Sequence, residues 1–277
     1  LWQGLGYYNR ARNLQKAARQ IMEQFGGQFP RSYPDLLSLA GVGDYTAGAI
    51  ASIAFGLPEP AVDGNVLRVV TRITGDPSDI SQAATKKVIR AALAEVIPLQ
   101  APGDFNQALM ELGALVCLPN GAPDCAHCPA HGFCAAHLTG KTAQIPVKGA
   151  KKPRKIEERT VYLLFHCGQV ALRRRPAKGL LAGLWEFPNE VVGSAESAGW
   201  GLDLTQAEVC GVGRHVFTHR EWHMTGKQLF LANETLPEGW VWADEKAFCE
   251  TYAVPNAFSA FLPAVEAYFA QWRGGLS

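Results

Sequence analysis

The chain has 277 residues, 48% of them hydrophobic and 18% charged, with a formal net charge of +1. That balance excludes a disordered tail and leaves room for two domains. It also excludes a globally basic polyanion binder, so any nucleic-acid contact must come from local patches and backbone amides.

The first patterns are helical. NRARNLQKAARQIMEQF places Leu14, Ala17, Ala18, Ile21 and Phe25 on one stripe at 3.6-residue spacing. In DLLSLAGVGDYTAGAIASIAF a short helix stops at Gly41-Val42-Gly43, and Thr46 with small alanines opens another. Two glycines let a ligand approach the backbone, and the next helix presents free N–H groups at the positive end of its dipole. This reads as a phosphate-binding hairpin, although such turns also serve as plain connections. AVDGNVLRVVTRI sets Asp63 before a helix carrying Val66, Val69, Val70 and Ile73. Asp63 is an N-cap on spacing alone; the functional alternative is a carboxylate aimed into a groove at a developing cation. SQAATKKVIRAALAEVI repeats the helical pattern with Ser81 as expected N-cap, and DFNQALMELGALVC ends a further helix at Cys117.

CLPNGAPDCAHCPAHGFC then packs Cys117, Cys125, Cys128 and Cys134 into eighteen positions. No charged-then-apolar leader and no apolar run of membrane-spanning length is visible, so neither a signal peptide nor a membrane span is expected. Leu1 stands first in place of methionine, so an earlier leader stays open. An odd count of seven cysteines in a chain this long argues against a disulfide framework. Cys167, Cys210 and Cys249 read as buried small hydrophobes. The spacing C-x7-C-x2-C-x5-C suits metal, and by itself leaves zinc and iron–sulfur equally open.

Residues 140–159 are rich in Lys and Arg, with Pro146 and Pro153, and read as an exposed basic connector that could also touch phosphate. Beyond it the texture changes to short strands: VYLLFHC, QVALRRR, GLWEFPN and KQLFLAN, with a last helix near AFSAFLPAVEAYFAQW. The expected organisation is an all-α domain over 1–139, the connector 140–159, and an α+β domain over 160–277.

LWQGLGYYNRARNL, LAGVGDYTAGAI, AVDGNVLRV and the cysteine cluster resemble, in that order, the motifs of MutY-type adenine DNA glycosylases, helix-hairpin-helix enzymes with an iron–sulfur cluster. The second domain resembles that family's MutT-like, or Nudix-like, domain. The resemblance implies a [4Fe–4S] cluster on Cys117, Cys125, Cys128 and Cys134, whose loop helps dock the DNA backbone. Seven residues separate the first two cysteines where the family usually has six, which puts the path of that loop in doubt.

The implied activity is removal of adenine opposite 8-oxoguanine or guanine in double-stranded DNA, by a monomer, with a bacterial cytoplasmic, nucleoid-associated location if the source is prokaryotic. Asp63 would stabilise the oxocarbenium-like sugar and Asn65 would orient it. Tyr45 stands where endonuclease III-type relatives carry a Schiff-base lysine, which argues against lyase chemistry. Tyr7 resembles the tyrosine that intercalates beside the lesion, with a core aromatic as the plain alternative. Gly41, Val42, Gly43 and Thr46 would hold backbone phosphate. Phe217, Thr218 and His219 stand where the family has its Phe-Ser-His loop for 8-oxoguanine. Glu186 and Glu190 remain of the Nudix acids, but the clustered carboxylates that bind magnesium are absent, which implies a binding module and not a pyrophosphatase. Family members begin with a further segment carrying a Glu that protonates the adenine, so an N-terminally incomplete chain is expected. An endonuclease III-like lyase and a non-catalytic lesion-binding fragment are the alternatives.

Overall fold

The computed structural model describes residues 7–150, 153–233 and 235–275. The chain divides into two compact units, Asn9–Lys151 and a second containing Lys152–Ser277 with Leu1–Tyr8.

The first unit is helical: α1 (Asn9–Gln24), α2 (Tyr33–Ser38), α3 (Asp44–Ala49), α4 (Gly64–Thr74), α5 (Ala83–Val96), α6 (Pro102–Glu111) and α7 (Ala135–Leu138). Helix α4 is its centre, with Val66, Leu67, Arg68, Val69, Thr71 and Arg72 all buried. Gly75, at φ 72°, closes it in the left-handed conformation that glycine adopts without strain. The α1 stripe is rotated from the expected one. Ala17 is buried and Ile21 and Phe25 pack beside it, whereas Leu14 is 68% exposed. The helix is turned by Gln20, whose side chain accepts from Ala40 N at 2.7 Å and donates to Ser38 O at 3.3 Å. Ser81 is not the cap of α5. Gln82 occupies that position, and Ser81 instead donates its N–H and hydroxyl to Asp79, each at 2.8 Å.

The second unit is built on a mixed sheet of β1 (Lys155–His166), β2 (Gln169–Arg174), β3 (Trp185–Glu186), β4 (Asn189–Val191), β5 (Glu208–Val216), β6 (Arg220–Phe230) and β7 (Trp240–Ala243). Its spatial order is β3-β2-β1-β6-β5, with β4 on β1 and β7 on β2. Strands β1 and β6 run parallel from Lys155↔Arg220 to Phe165↔Phe230; the other pairs are antiparallel. β1 is covered on both sides, which is why VYLLF reads as an unbroken apolar run. Val161, Leu163 and Phe165 face one core with Trp222, Phe258 and Phe261. Tyr162 and Leu164 face another with Trp200, Trp240 and Trp242. Helix α8 (Glu245–Glu250) and helix α9 (Leu262–Gly274), the latter entered through a 3-10 segment at Asn256–Phe261, complete the unit.

The connector is shorter than expected. Lys155 through Arg159 are strand, and Arg159 is buried, donating twice to Asn189 Oδ1 (2.7 and 3.0 Å) with its guanidinium 4.5 Å from the Trp222 ring centroid. Upstream, Gly149 N donates to Asp79 Oδ1 (2.9 Å), Ile80 N to Val147 O (3.0 Å) and Arg72 Nε to Ile145 O (2.7 Å). The three cysteines expected in the core are not buried either: Cys167 and Cys249 are exposed and Cys210 is half-buried.

Candidate functional site

The Gly-Val-Gly turn joins α2 to α3 as the sequence implies. Gly41 takes φ 79°, and a Cβ there would stand 2.7 Å from Asn13 Cβ, so both conformation and packing demand glycine. Gly43 is the N-cap of α3 without a side-chain cap; the first helical bond runs from Ala47 N to Gly43 O. The amides of Asp44, Tyr45 and Thr46 are therefore left as donors at the helix start. Nothing lies within 4 Å of a Cβ placed on Gly43, so this approach is open. Val42 anchors the turn by packing on the Ala17–Leu36 cluster. Behind it Tyr33 Oη donates to Asp44 Oδ1 (2.9 Å), and the Arg90 guanidinium lies 4.4 Å from the Tyr33 ring centroid. Burial, then the bond to Asp44, pushes the Tyr33 phenol up to about 12, so it stays a donor at all ordinary pH.

Asp63 caps α4 and has an oxygen to spare. Its Oδ1 accepts from Asn65 N and Val66 N, both at 2.8 Å, while among the described residues Oδ2 accepts only the Asn65 side-chain amide at 3.2 Å. Asn65 is held in turn by Arg68, whose Nη2 donates to Asn65 Oδ1 (2.8 Å) and Gly113 O (2.7 Å) and whose Nε donates to Cys117 O (2.7 Å). Burial lowers the Arg68 pKa from its ordinary value, the expected cost of enclosing a guanidinium. The loop into Asp63 is fixed by buried Asn106, which accepts from Ala61 N (3.0 Å) and donates to Ser52 Oγ (2.8 Å) and Glu59 O (2.9 Å). Tyr45 is exposed, with its hydroxyl on Met110 Sδ at 3.7 Å; among the described residues it makes no bond to Asp63 or Asn65. Tyr7 is 73% exposed at φ 45°, so it is no core aromatic.

Cys117, Cys125, Cys128 and Cys134 line one cavity with Arg72 and His137. Arg72 Nη1 donates to Cys117 Sγ at 3.2 Å, and Cys134 Sγ donates to Arg72 O at 3.3 Å. Burial, followed by the neighbouring thiols of Cys128, Cys134 and Cys117, raises the Cys125 pKa. Protonation relieves such crowding in the free protein, and a bound metal, which needs the thiolates, would relieve it instead. Among the described residues, no three His, Cys, Asp or Glu side chains converge closely enough to hold one ion. The donor set itself, four cysteines around one cavity, provides one thiolate for each iron of a cluster. The loop departs from a cationic DNA clamp, for residues 117–140 contain no Lys or Arg.

Arg68 and Arg72 escaped the sequence reading. Their signal was two arginines one turn apart on an otherwise apolar helix, where charge has no reason to sit unless it has buried acceptors.

In the second unit Thr218 and His219 are exposed at the turn between β5 and β6, but the Phe217 ring packs inward, 4.8 Å from Trp222 and 4.5 Å from His215 by centroids. Phe217 is thus an anchor and not a reader by its ring. Burial lowers the His215 pKa, which favours the neutral imidazole. Glu186 is fully engaged by Arg173 (3.0 Å) and Arg175 (2.5 Å), and Glu190 by Tyr162 Oη (3.1 Å) and Ser197 N (2.9 Å) and Oγ (2.7 Å).

Two family models match the chain: HhH-GPD superfamily base excision DNA repair protein over residues 1–98, and NUDIX domain over residues 160–264. The adenine DNA glycosylase of Homo sapiens is 34% identical over 319 residues, covering 93% of this chain and 58% of its own length. That of Buchnera aphidicola subsp. Baizongia pistaciae (strain Bp) is 37% identical over 191 residues, covering 68% of this chain and 53% of its own length. The chain thus spans little more than half of these curated relatives. Among solved structures, a non-covalent endonuclease III–DNA complex is similar at 30% identity and TM-score 0.42, over 49% of this chain and 62% of that chain.

Proposed function

The chain belongs to the MutY-type family of base-excision DNA glycosylases, and from that premise we propose that it serves to remove adenine paired with 8-oxoguanine or guanine in duplex DNA. The observation that carries the proposal is the division of labour at Asp63. One oxygen holds the start of α4, and among the described residues the other is bonded only to the Asn65 side chain.

Adenine must leave the stack before its glycosidic bond can be reached. Cleavage of that bond builds positive charge on the sugar, and Asp63 Oδ2 supplies the opposing charge, as carboxylates do in glycoside hydrolysis. Asn65 and Arg68 keep that carboxylate from rotating away. The Tyr45 phenol forms no imine, so base removal without strand cleavage follows. The Asp44–Thr46 amides take a DNA phosphate through the open side of Gly43. Tyr7, exposed at the edge of the described residues, enters the duplex beside the lesion. Thr218 and His219 read the oxidised guanine. Protonation of the leaving base is assigned to no residue of this chain.

Cys117, Cys125, Cys128 and Cys134 would hold a [4Fe–4S] cluster, which would tie the segment that follows α6 to the loop and to the start of α7 and supply no base chemistry. With no Lys or Arg in residues 117–140, that loop would meet phosphate through backbone amides and the imidazoles of His127, His131 and His137. The engaged state of Glu186 and Glu190 supports a second unit that binds and does not hydrolyse.

Two measurements test this. Placed in a protein of the relatives' full length, Asp63→Asn should abolish adenine release from A:8-oxoguanine duplexes while largely keeping duplex binding, because electrostatic stabilisation of this kind is worth ~3 kcal/mol or more; near-normal turnover would reduce Asp63 to a cap. Anaerobically purified protein should be brown with about four irons per chain; a colourless protein with one zinc would remove the cluster from the proposal.

A further inference from the structure

The turn between β5 and β6 is fastened from a distant part of the chain. Phe217 N donates to Arg220 O at 2.8 Å, closing the turn around Thr218 and His219. The two carbonyls that flank this pair are both held by the residues entering β1. Arg154 Nε donates to Phe217 O at 3.1 Å, and Lys155 N donates to His219 O at 3.2 Å. Arg220 is ion-paired with Glu157, which also accepts from Trp222 Nε1 at 3.0 Å. With the Phe217 ring packed on Trp222, only Thr218 and His219 are left to project.

These fastenings differ in kind. The Lys155 bond belongs to the start of the β1–β6 ladder and exists whatever side chain stands there. The Arg154 bond is made by a side chain, from a position before the strand begins, onto the backbone of the turn itself. Arg154 is exposed, so the protein does not need it to fill a core. A guanidinium bonded to a single carbonyl at the surface contributes little to global stability, but it selects one turn geometry among several.

We propose that Arg154 is a positioning residue for lesion recognition: its bond to the Phe217 carbonyl fixes the backbone that presents Thr218 and His219 to the oxidised guanine. The proposal rests on the assignment of that turn as the reader. It separates Arg154 from the exposed Lys141 and Lys148 of the basic stretch, whose contribution to DNA binding would be charge alone.

The experiment compares Arg154→Ala, Arg154→Lys and the double variant Thr218→Ala, His219→Ala with the native protein. Two quantities are read: amide hydrogen exchange of Phe217 in the free protein, and the ratio of dissociation constants for A:G and A:8-oxoguanine duplexes. Removal of one charge-assisted bond predicts roughly tenfold faster Phe217 exchange and a roughly fivefold smaller ratio for Arg154→Ala. Arg154→Lys keeps the charge and the salt dependence but lacks the Nε–H of the planar fork, so it should show the same two losses. If Lys restores the native ratio, or Ala weakens both duplexes equally with a smaller salt slope, Arg154 is a phosphate contact and the proposal falls. Unchanged Phe217 exchange also overturns it. Faster exchange with an unchanged ratio, shared by the Thr218/His219 double variant, overturns the reader assignment instead.

Discussion

Arg68 ties three parts of the helical unit together, and Arg68→Met tests how much that tie is worth. Met preserves the aliphatic stem and removes the guanidinium. Three acceptors lose a donor at 2.7–2.8 Å: Asn65 Oδ1, Gly113 O and Cys117 O. Two of them are carbonyls of the helical segment that ends at Cys117, and the site is enclosed, with Arg68 itself 4% exposed. An unsatisfied buried acceptor costs ~1–3 kcal/mol. Against this stands the desolvation of the guanidinium, which the lowered pKa records and which Met relieves. The balance is a loss of about 3 kcal/mol. With a urea m-value of roughly 2 kcal/mol/M, the midpoint should fall by about 1.5 M, read by far-ultraviolet circular dichroism at matched iron content. Arg68→Lys should recover only part, because an ammonium cannot span acceptors that the planar fork reaches together. A midpoint for Arg68→Met within about 0.25 M of native, ~0.5 kcal/mol at that slope, would refute the reasoning and show that the three acceptors find water instead.

The two hairpin glycines should separate cleanly. Gly41→Ala should destabilise the protein by about 1–3 kcal/mol in thermal or urea unfolding, from its φ of 79° and the Asn13 contact. Gly43→Ala, at φ −101° with open space around it, should fold normally and lose duplex affinity in a binding titration. In the sheet, His223 sits between Glu221 (2.7 Å) and Glu158 (3.1 Å), and these bonds, that to Glu221 foremost, raise its pKa above 6.5. Its contribution to stability is therefore full below pH ~6.5 and lost as pH rises through the folded value. Glu221, held down to about 2 by Arg214 and His223, contributes fully above its ordinary 4.5 and loses this as pH falls toward 2. The melting temperature should decline from pH 6 to pH 8, and His223→Gln should flatten that slope; an unchanged slope would assign it to other groups.

What the sequence made legible follows from how local each cause is. The Gly41-Val42-Gly43 turn, the cap at Asp63 and the helix ending at Cys117 are set by residues within a turn of one another, and all stand where the pattern puts them. The gathering of four cysteines around one cavity was visible in their spacing. The misreadings share a different cause. Arg159 and Glu157 looked like linker charges because their partners, Asn189 and Arg220, lie 30 and 63 residues away. The β5–β6 turn was legible only through the family resemblance, because Phe217-Thr218-His219 contains no glycine, proline or asparagine; Arg154 and Lys155 hold its carbonyls from outside. Arg68 and Arg72 were passed over because arginine is ordinarily a surface residue. Leu14 was placed in the core by periodicity, which fixes the existence of a face but not which face the hairpin covers.

The salt-bridged carboxylate of Glu186 has a bearing on ancestry and redesign. If the sheet unit derives from a hydrolase, reinstating the missing acids would not restore a metal site, because Arg173 and Arg175 already neutralise one of the surviving carboxylates. Removing those arginines first would strand a charge at 1% exposure, a change that costs several kcal/mol on its own. Each single step is therefore unfavourable, and only coordinated substitutions cross between the two states. The same coupling makes the unit resistant to regaining an activity that would compete for nucleotides, and a double-mutant cycle across Arg175 and Glu186 would measure the height of that barrier.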